Sequence, residues 1–104
     1  MKKIIVLAIA LCTAIAFAQK EKKVSFNKET NLVDVVYYHD NGTVSQTGFF
    51  NLDGKLEGNW ISYSEDGIKL VSAFYENGKK VGKWTYYIDG EIKMVSYSDN
   101  VASI

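Results

Sequence analysis

From Val33 to Tyr97 the apolar and aromatic positions come in runs of seven or eight residues, cut at regular intervals by glycine-bearing turns. Asp40-Asn41-Gly42, Asp53-Gly54, Glu65-Asp66-Gly67, Asn77-Gly78 and Asp89-Gly90 place their glycines 11 to 13 residues apart. Each holds an Asn-Gly or Asp-Gly pair able to take the positive φ of a type I′ hairpin. The segments between and around them (33–39, 43–50, 58–64, 68–75, 82–88 and 91–97) are rich in Val, Ile, Thr, Tyr, Phe and Trp, residues that fit a pleated, half-buried surface. Short loops join only neighbouring antiparallel strands, so five turns and about six strands predict an all-β, up-and-down meander. The chain has no proline, and helical periodicity is absent beyond the first 18 residues.

The pattern repeats. Gly54-Lys55-Leu56-Glu57-Gly58-Asn59-Trp60-Ile61-Ser62-Tyr63 returns 24 residues later as Gly78-Lys79-Lys80-Val81-Gly82-Lys83-Trp84-Thr85-Tyr86-Tyr87, and Ile68-Lys69-Leu70-Val71-Ser72 returns as Ile92-Lys93-Met94-Val95-Ser96. Shared Gly, Trp and Tyr at one spacing mark duplicated supersecondary units. The candidate structural residues of the repeat are Gly54, Gly58, Trp60, Tyr63 and Gly67, then Gly78, Gly82, Trp84, Tyr87 and Gly90. Two-residue loops at Asp66-Gly67 and Asn77-Gly78 would put Trp60 opposite Ala73, Ala73 opposite Gly82 and Val71 opposite Trp84. Gly48, Gly58, Ala73 and Gly82 are then expected to leave room for indoles lying flat across adjacent strands. The same register sends Ile61, Tyr63, Leu70, Phe74, Val81 and Tyr87 to the other face, leaving a sheet apolar on both sides and no helix to cover it.

Residues 1–18 read as a signal peptide: Lys2 and Lys3, an apolar run from Ile4, and Ala16-Phe17-Ala18 before Gln19. The run from Ile4 to Ala18 is 15 residues, whereas a spanning helix needs about 20, so no stable membrane anchor is expected. Cys12, the only cysteine, sits inside this run as a small hydrophobe, which leaves the exported chain no disulfide. Residues 19–31 read as a flexible leader with one short strand at Val24 to Phe26, and residues 32–104 as the repeat domain. Without Lys2 and Lys3 ten cationic side chains face twelve acidic ones, a net charge of −2. That offers no basic surplus for nucleic acid.

Little else in the chain suggests chemistry. His39, the only histidine, stands beside a turn and reads as an edge residue rather than part of a triad with Asp34 or Asp40. One histidine and no cysteine beyond the signal offer too few ligands for a zinc site, and Asp40, Asp53, Asp66 and Asp89 sit on separate hairpins, as turn formers. Gly78-Lys79-Lys80-Val81-Gly82-Lys83 lacks the Ser/Thr and following helix of a phosphate loop. No catalytic residue, cofactor site or metal site is therefore expected.

Tyr38-x-x-x-Gly42, Gly58-x-Trp60-x-x-Tyr63 and Gly82-x-Trp84-x-x-Tyr87, the last two preceded by the turns Asp53-Gly54-Lys55 and Asn77-Gly78-Lys79, resemble the bacterial variant of the MORN (membrane occupation and recognition nexus) repeat found in antitoxin-like proteins. The resemblance covers residues 37–97, and the first unit departs from it in lacking Trp. With its Ala-Gln junction the chain also resembles small exported Bacteroidetes-type proteins. The likeness implies stacked antiparallel hairpins and a binding or scaffolding role without enzyme chemistry. The expected function is an exported, periplasmic or extracellular, non-catalytic module that presents an aromatic sheet face to a protein or envelope polymer, with a weak homodimer as one form. The alternative is a carbohydrate-binding module that stacks sugars on Trp and Tyr.

Overall fold

The structure, a computed structural model, describes residues 22–103. The signal segment and the last residue, Ile104, lie outside the described residues. Among the described residues nine strands form one sheet: β1 (Lys22–Asn27), β2 (Leu32–Tyr38), β3 (Val44–Phe50), β4 (Leu56–Tyr63), β5 (Lys69–Glu76), β6 (Lys79–Lys80), β7 (Gly82–Ile88), β8 (Glu91–Ser98) and β9 (Val101–Ser103). Their order is β1-β2-β3-β4-β5-β7-β8-β9, with the short β6 paired to β5, and every pairing is antiparallel. The protein is an all-β, up-and-down meander, and the described residues contain no helix.

The six strands legible in the turn spacing are β2, β3, β4, β5, β7 and β8. The sheet extends beyond them at both edges. β1 is longer than the Val24 to Phe26 strand expected in the leader and pairs with β2 along its whole length, Lys22 opposite Tyr37 to Asn27 opposite Leu32. Its turn is built by Asn27, whose Oδ1 accepts from the backbone N–H of Glu29 (2.9 Å) and Thr30 (3.3 Å), and by Asn31 at φ 62°. At the other edge Asp99 and Asn100, at φ 52° and 75°, turn the chain back into β9.

The hairpins are of two kinds. Asn77-Gly78 (φ 52° and 86°) and Asp89-Gly90 (φ 49° and 80°) have the two positive φ values of a type I′ turn. In the loops carrying Gly42, Gly54 and Gly67 the glycine has positive φ but its Asn or Asp neighbour does not. These are three-residue loops with one shared set of bonds. His39, Asn51 and Ser64 each accept from the glycine N–H three residues on and donate to the carbonyl four residues on, at 2.7–2.9 Å. Side chains reinforce all three: Asn51 Oδ1 accepts from the N–H of Asp53 and Lys55, Ser64 Oγ from that of Asp66 and Ile68, and Asn41 Oδ1 from that of Thr43. At Asn51 and Ser64 a side-chain acceptor at the loop entrance favours the longer turn over type I′, and in the first loop the acceptor is Asn41, inside the turn.

Trp60 stands opposite Ala73, as the repeat spacing predicts, but Val71 pairs with Tyr86 rather than Trp84, and Ala73 is not opposite Gly82. The cause is a bulge. Between the pairs Tyr75–Lys80 and Val71–Tyr86, three residues of β5 face five on the other strand, and Gly82 sits there at φ +73°. Between Phe50–Leu56 and Gln46–Ser62, three residues of β3 likewise face five, with Gly58 also at φ +73°. A two-residue insertion preserves the period of a strand, so the indoles keep their face while sliding along it. Val81 is in the bulge, its N–H bonded to Phe74 O (3.0 Å), and not in the ladder of the second face.

Candidate functional site

One face of the sheet carries both indoles. Trp60, Ala73 and Trp84 form its buried cluster, packed by Tyr37, Phe50, Leu56, Val71, Tyr75, Tyr86 and Tyr97, and Val35 is buried beside them on β2. The two units are built alike. Trp60 Nε1 donates to Phe49 O and Trp84 Nε1 donates to Phe74 O, each at 3.1 Å. Phe50 meets Trp60 edge-on (5.2 Å, 77°), and Tyr75 meets Trp84 the same way (5.3 Å, 67°). A Cβ built on Gly48 falls inside the ring of Trp60, so the indole occupies the space that glycine leaves. Gly58 and Gly82 have a different use from the one expected. Their Cβ positions would touch Phe49 and Phe74 at an ordinary 3.4 Å, and it is their positive φ that the bulge requires.

The other repeat residues are dispersed. Gly54 and Gly67 lie in three-residue loops, Gly78 and Gly90 in type I′ turns, and Tyr63 and Tyr87 on the face opposite the indoles. That opposite face is open: Leu70, Phe74, Ile92 and Met94 are exposed, the last two by 60% and 55%.

The second unit is completed by Lys80. Its ammonium lies 5.0 Å from the Trp84 ring centre and 5.1 Å from that of Tyr97. Burial, followed by the charge of Tyr97, raises the Tyr75 phenol above the ordinary 10.0. The Tyr86 phenol is raised by burial, then by a side-chain hydrogen bond with Tyr97, then by the charges of Tyr97 and Tyr75. The Tyr75 and Tyr86 phenols therefore keep their protons at neutral pH and act as hydrogen-bonding groups.

The first unit opens instead into a recess of 660 Å³, a size suited to a small ligand or a side chain, lined by Tyr37, Tyr38, His39, Asp40, Ser45, Gln46, Phe50, Leu56, Trp60, Glu65 and Tyr75. Its rim is fixed by bonds between two loops at one end of the sheet. His39 Nε2 is 2.8 Å from Tyr63 O, while Asn41 Nδ2 and Thr43 Oγ1 both donate to Glu65 O at 3.3 and 3.2 Å. His39 is thus a cross-loop tie rather than the free edge residue its position beside a turn suggested.

Two polar ties escaped the sequence reading. Glu57 Oε1 accepts from Asn77 N–H (2.9 Å) and Asn51 Nδ2 (3.3 Å), joining consecutive loops at the opposite end. Asn100 Oδ1 accepts from Lys80 N–H at 2.8 Å. The second repeat has Val81 where the first has Glu57, so the echo itself carries no trace of that tie. Among the described residues no cluster of His, Cys, Asp and Glu is arranged to hold a metal, and no helix is long and apolar enough to cross a membrane.

No family model matches the chain, and no curated protein or solved structure matches it significantly.

Proposed function

We propose that the chain is an exported, non-catalytic binding or structural module, built of MORN-like hairpin repeats, that works through its indole-bearing sheet face on a protein or envelope polymer. The observation that carries this reading is the duplicated setting of Trp60 and Trp84, each pinned to a backbone carbonyl and met edge-on by a ring of the neighbouring strand, Phe50 or Tyr75. Such duplication builds a continuous surface. It concentrates half-buried tyrosines around a rigid floor, a composition suited to recognition because large rings give contact area at small entropic cost. The apolar run before the first strand supports export to the periplasm or beyond.

Sugar stacking through tryptophan is the weaker reading. It needs an indole face open to water, and Trp60 and Trp84 are 4% and 6% exposed. The experiment is site-specific photo-crosslinking in envelope extract, with the probe at Tyr37 or Tyr86 on the indole face and at Phe74 or Met94 on the other. Crosslinks to one defined partner from the indole face support the proposal. Crosslinks confined to Phe74 and Met94 overturn it.

A further inference from the structure

We propose that the recess beside Trp60 binds a cationic group, an alkylammonium or guanidinium carried either by a free polyamine or by a Lys or Arg side chain of a peptide. The inference rests on the reading that the indole face is the working surface, and it specifies the chemistry recognised there.

Two observations carry it independently. The first is an internal comparison between the repeat units. Phe50 opposite Leu56 in the first unit corresponds to Tyr75 opposite Lys80 in the second, and Leu56 precedes Trp60 by the same interval that Lys80 precedes Trp84. In the second unit the aromatic cluster is capped by its own ammonium, 5.0 Å above Trp84 and 5.1 Å above Tyr97. Leucine at the equivalent position leaves the first cluster without a built-in cation. Trp60 is closed over, so the negative π faces that a cation from elsewhere meets in this recess are those of the half-buried Tyr37, Phe50 and Tyr75.

The second observation is the charge of the recess. Asp40 and Glu65 are among its lining residues, brought to one rim because Asn41 and Thr43 bond to Glu65 O and His39 bonds to Tyr63 O. Among the described residues no lysine lines it. The nearest in register, Lys22 opposite Tyr37, stands on the edge strand outside the lining. Of the ion pairs among the described residues, Lys79–Asp99 at 3.1 Å engages neither Asp40 nor Glu65. Tyr37, Tyr75 and Gln46 add hydrogen-bonding groups around the aromatic floor. Two acidic residues at the rim of a recess with aromatic walls favour a cation with an apolar stem, because the head meets the charges while the stem covers the rings.

The test is a titration of the isotope-labelled protein followed by the indole N–H of Trp60 and the side-chain amide of Gln46. The probes are spermidine, acetyl-lysine-methylamide, an acetyl-Gly-Arg-Gly amide and the neutral acetyl-norleucine-methylamide. The proposal expects saturable shifts at Trp60 and Gln46 with the cationic probes, little change at Trp84, and no saturation with the norleucine compound. Tighter binding of spermidine identifies a free amine as the source, and tighter binding of the peptides identifies a side chain. Asp40→Asn with Glu65→Gln should weaken binding about tenfold and leave the thermal midpoint unchanged, since both residues are exposed in loops. Absence of saturable shifts, equal binding of the neutral compound, or undiminished affinity in the double variant overturns the proposal. In each of those cases, crosslinks to one partner from Tyr37 or Tyr86 would still uphold the indole face as the working surface.

Discussion

Gly48 and Trp60 are complementary in the strict steric sense: the indole fills the volume that any side chain at Gly48 would need. Overpacking of this kind costs about 1–3 kcal/mol even when the neighbours adjust. Gly48→Ala should therefore lower stability by about that amount, measured by urea unfolding. A wild-type midpoint in the variant would mean the ring does not lie across β3.

Truncation of either indole should be the costliest change in the molecule. Trp60→Ala and Trp84→Ala each remove a buried ring from a sheet with few other buried side chains, and a loss of about 3–5 kcal/mol is expected. His39→Ala leaves Tyr63 O without its side-chain partner and should cost about 0.5–1.5 kcal/mol. Circular dichroism melts of the three variants should preserve that order.

Stability should fall at alkaline pH. Tyr75 and Tyr86 have phenols raised above 10.0, chiefly by burial, so the folded state holds these protons more tightly than the unfolded chain does. Their stabilisation is complete below pH 10 and is lost as pH rises through the folded-state values. Absorbance at 295 nm should show late-titrating phenols, and Tyr86→Phe should remove one of them. Uniform titration near pH 10 would contradict the buried cluster.

The opposite face predicts weak self-association. Leu70 and Phe74 on β5 and Ile92 and Met94 on β8 expose apolar surface on either side of β7, and a standard interface needs about 800 Å² per partner. Light scattering over a concentration series should reveal a dimer that Met94→Lys abolishes. A strict monomer at high concentration would contradict it.

The central strands and the indole face could be read from the sequence because each strand ends at a glycine turn and each indole recurs at one spacing. The sheet edges were obscured by different chemistry: Asn31, Asp99 and Asn100 supply the positive φ that glycine supplies elsewhere. The register was obscured by bulges, since Gly58 and Gly82 look like packing gaps in a sequence yet serve as backbone kinks. The recess could not be read at all. Its walls come from separated stretches of β2, β3, β4, β5 and the loops at Asp40 and Glu65, which meet only when the meander closes its order.

The two tryptophans serve as scaffold beneath the proposed working surface. Acrylamide quenching of single-tryptophan variants, Trp60→Phe and Trp84→Phe, tests this directly. Both remaining indoles should emit in the blue and resist quenching, as rings 6% exposed or less and bonded to backbone carbonyls must. Red emission with free quenching of either one would contradict the packing and return that ring to the role of an open stacking platform.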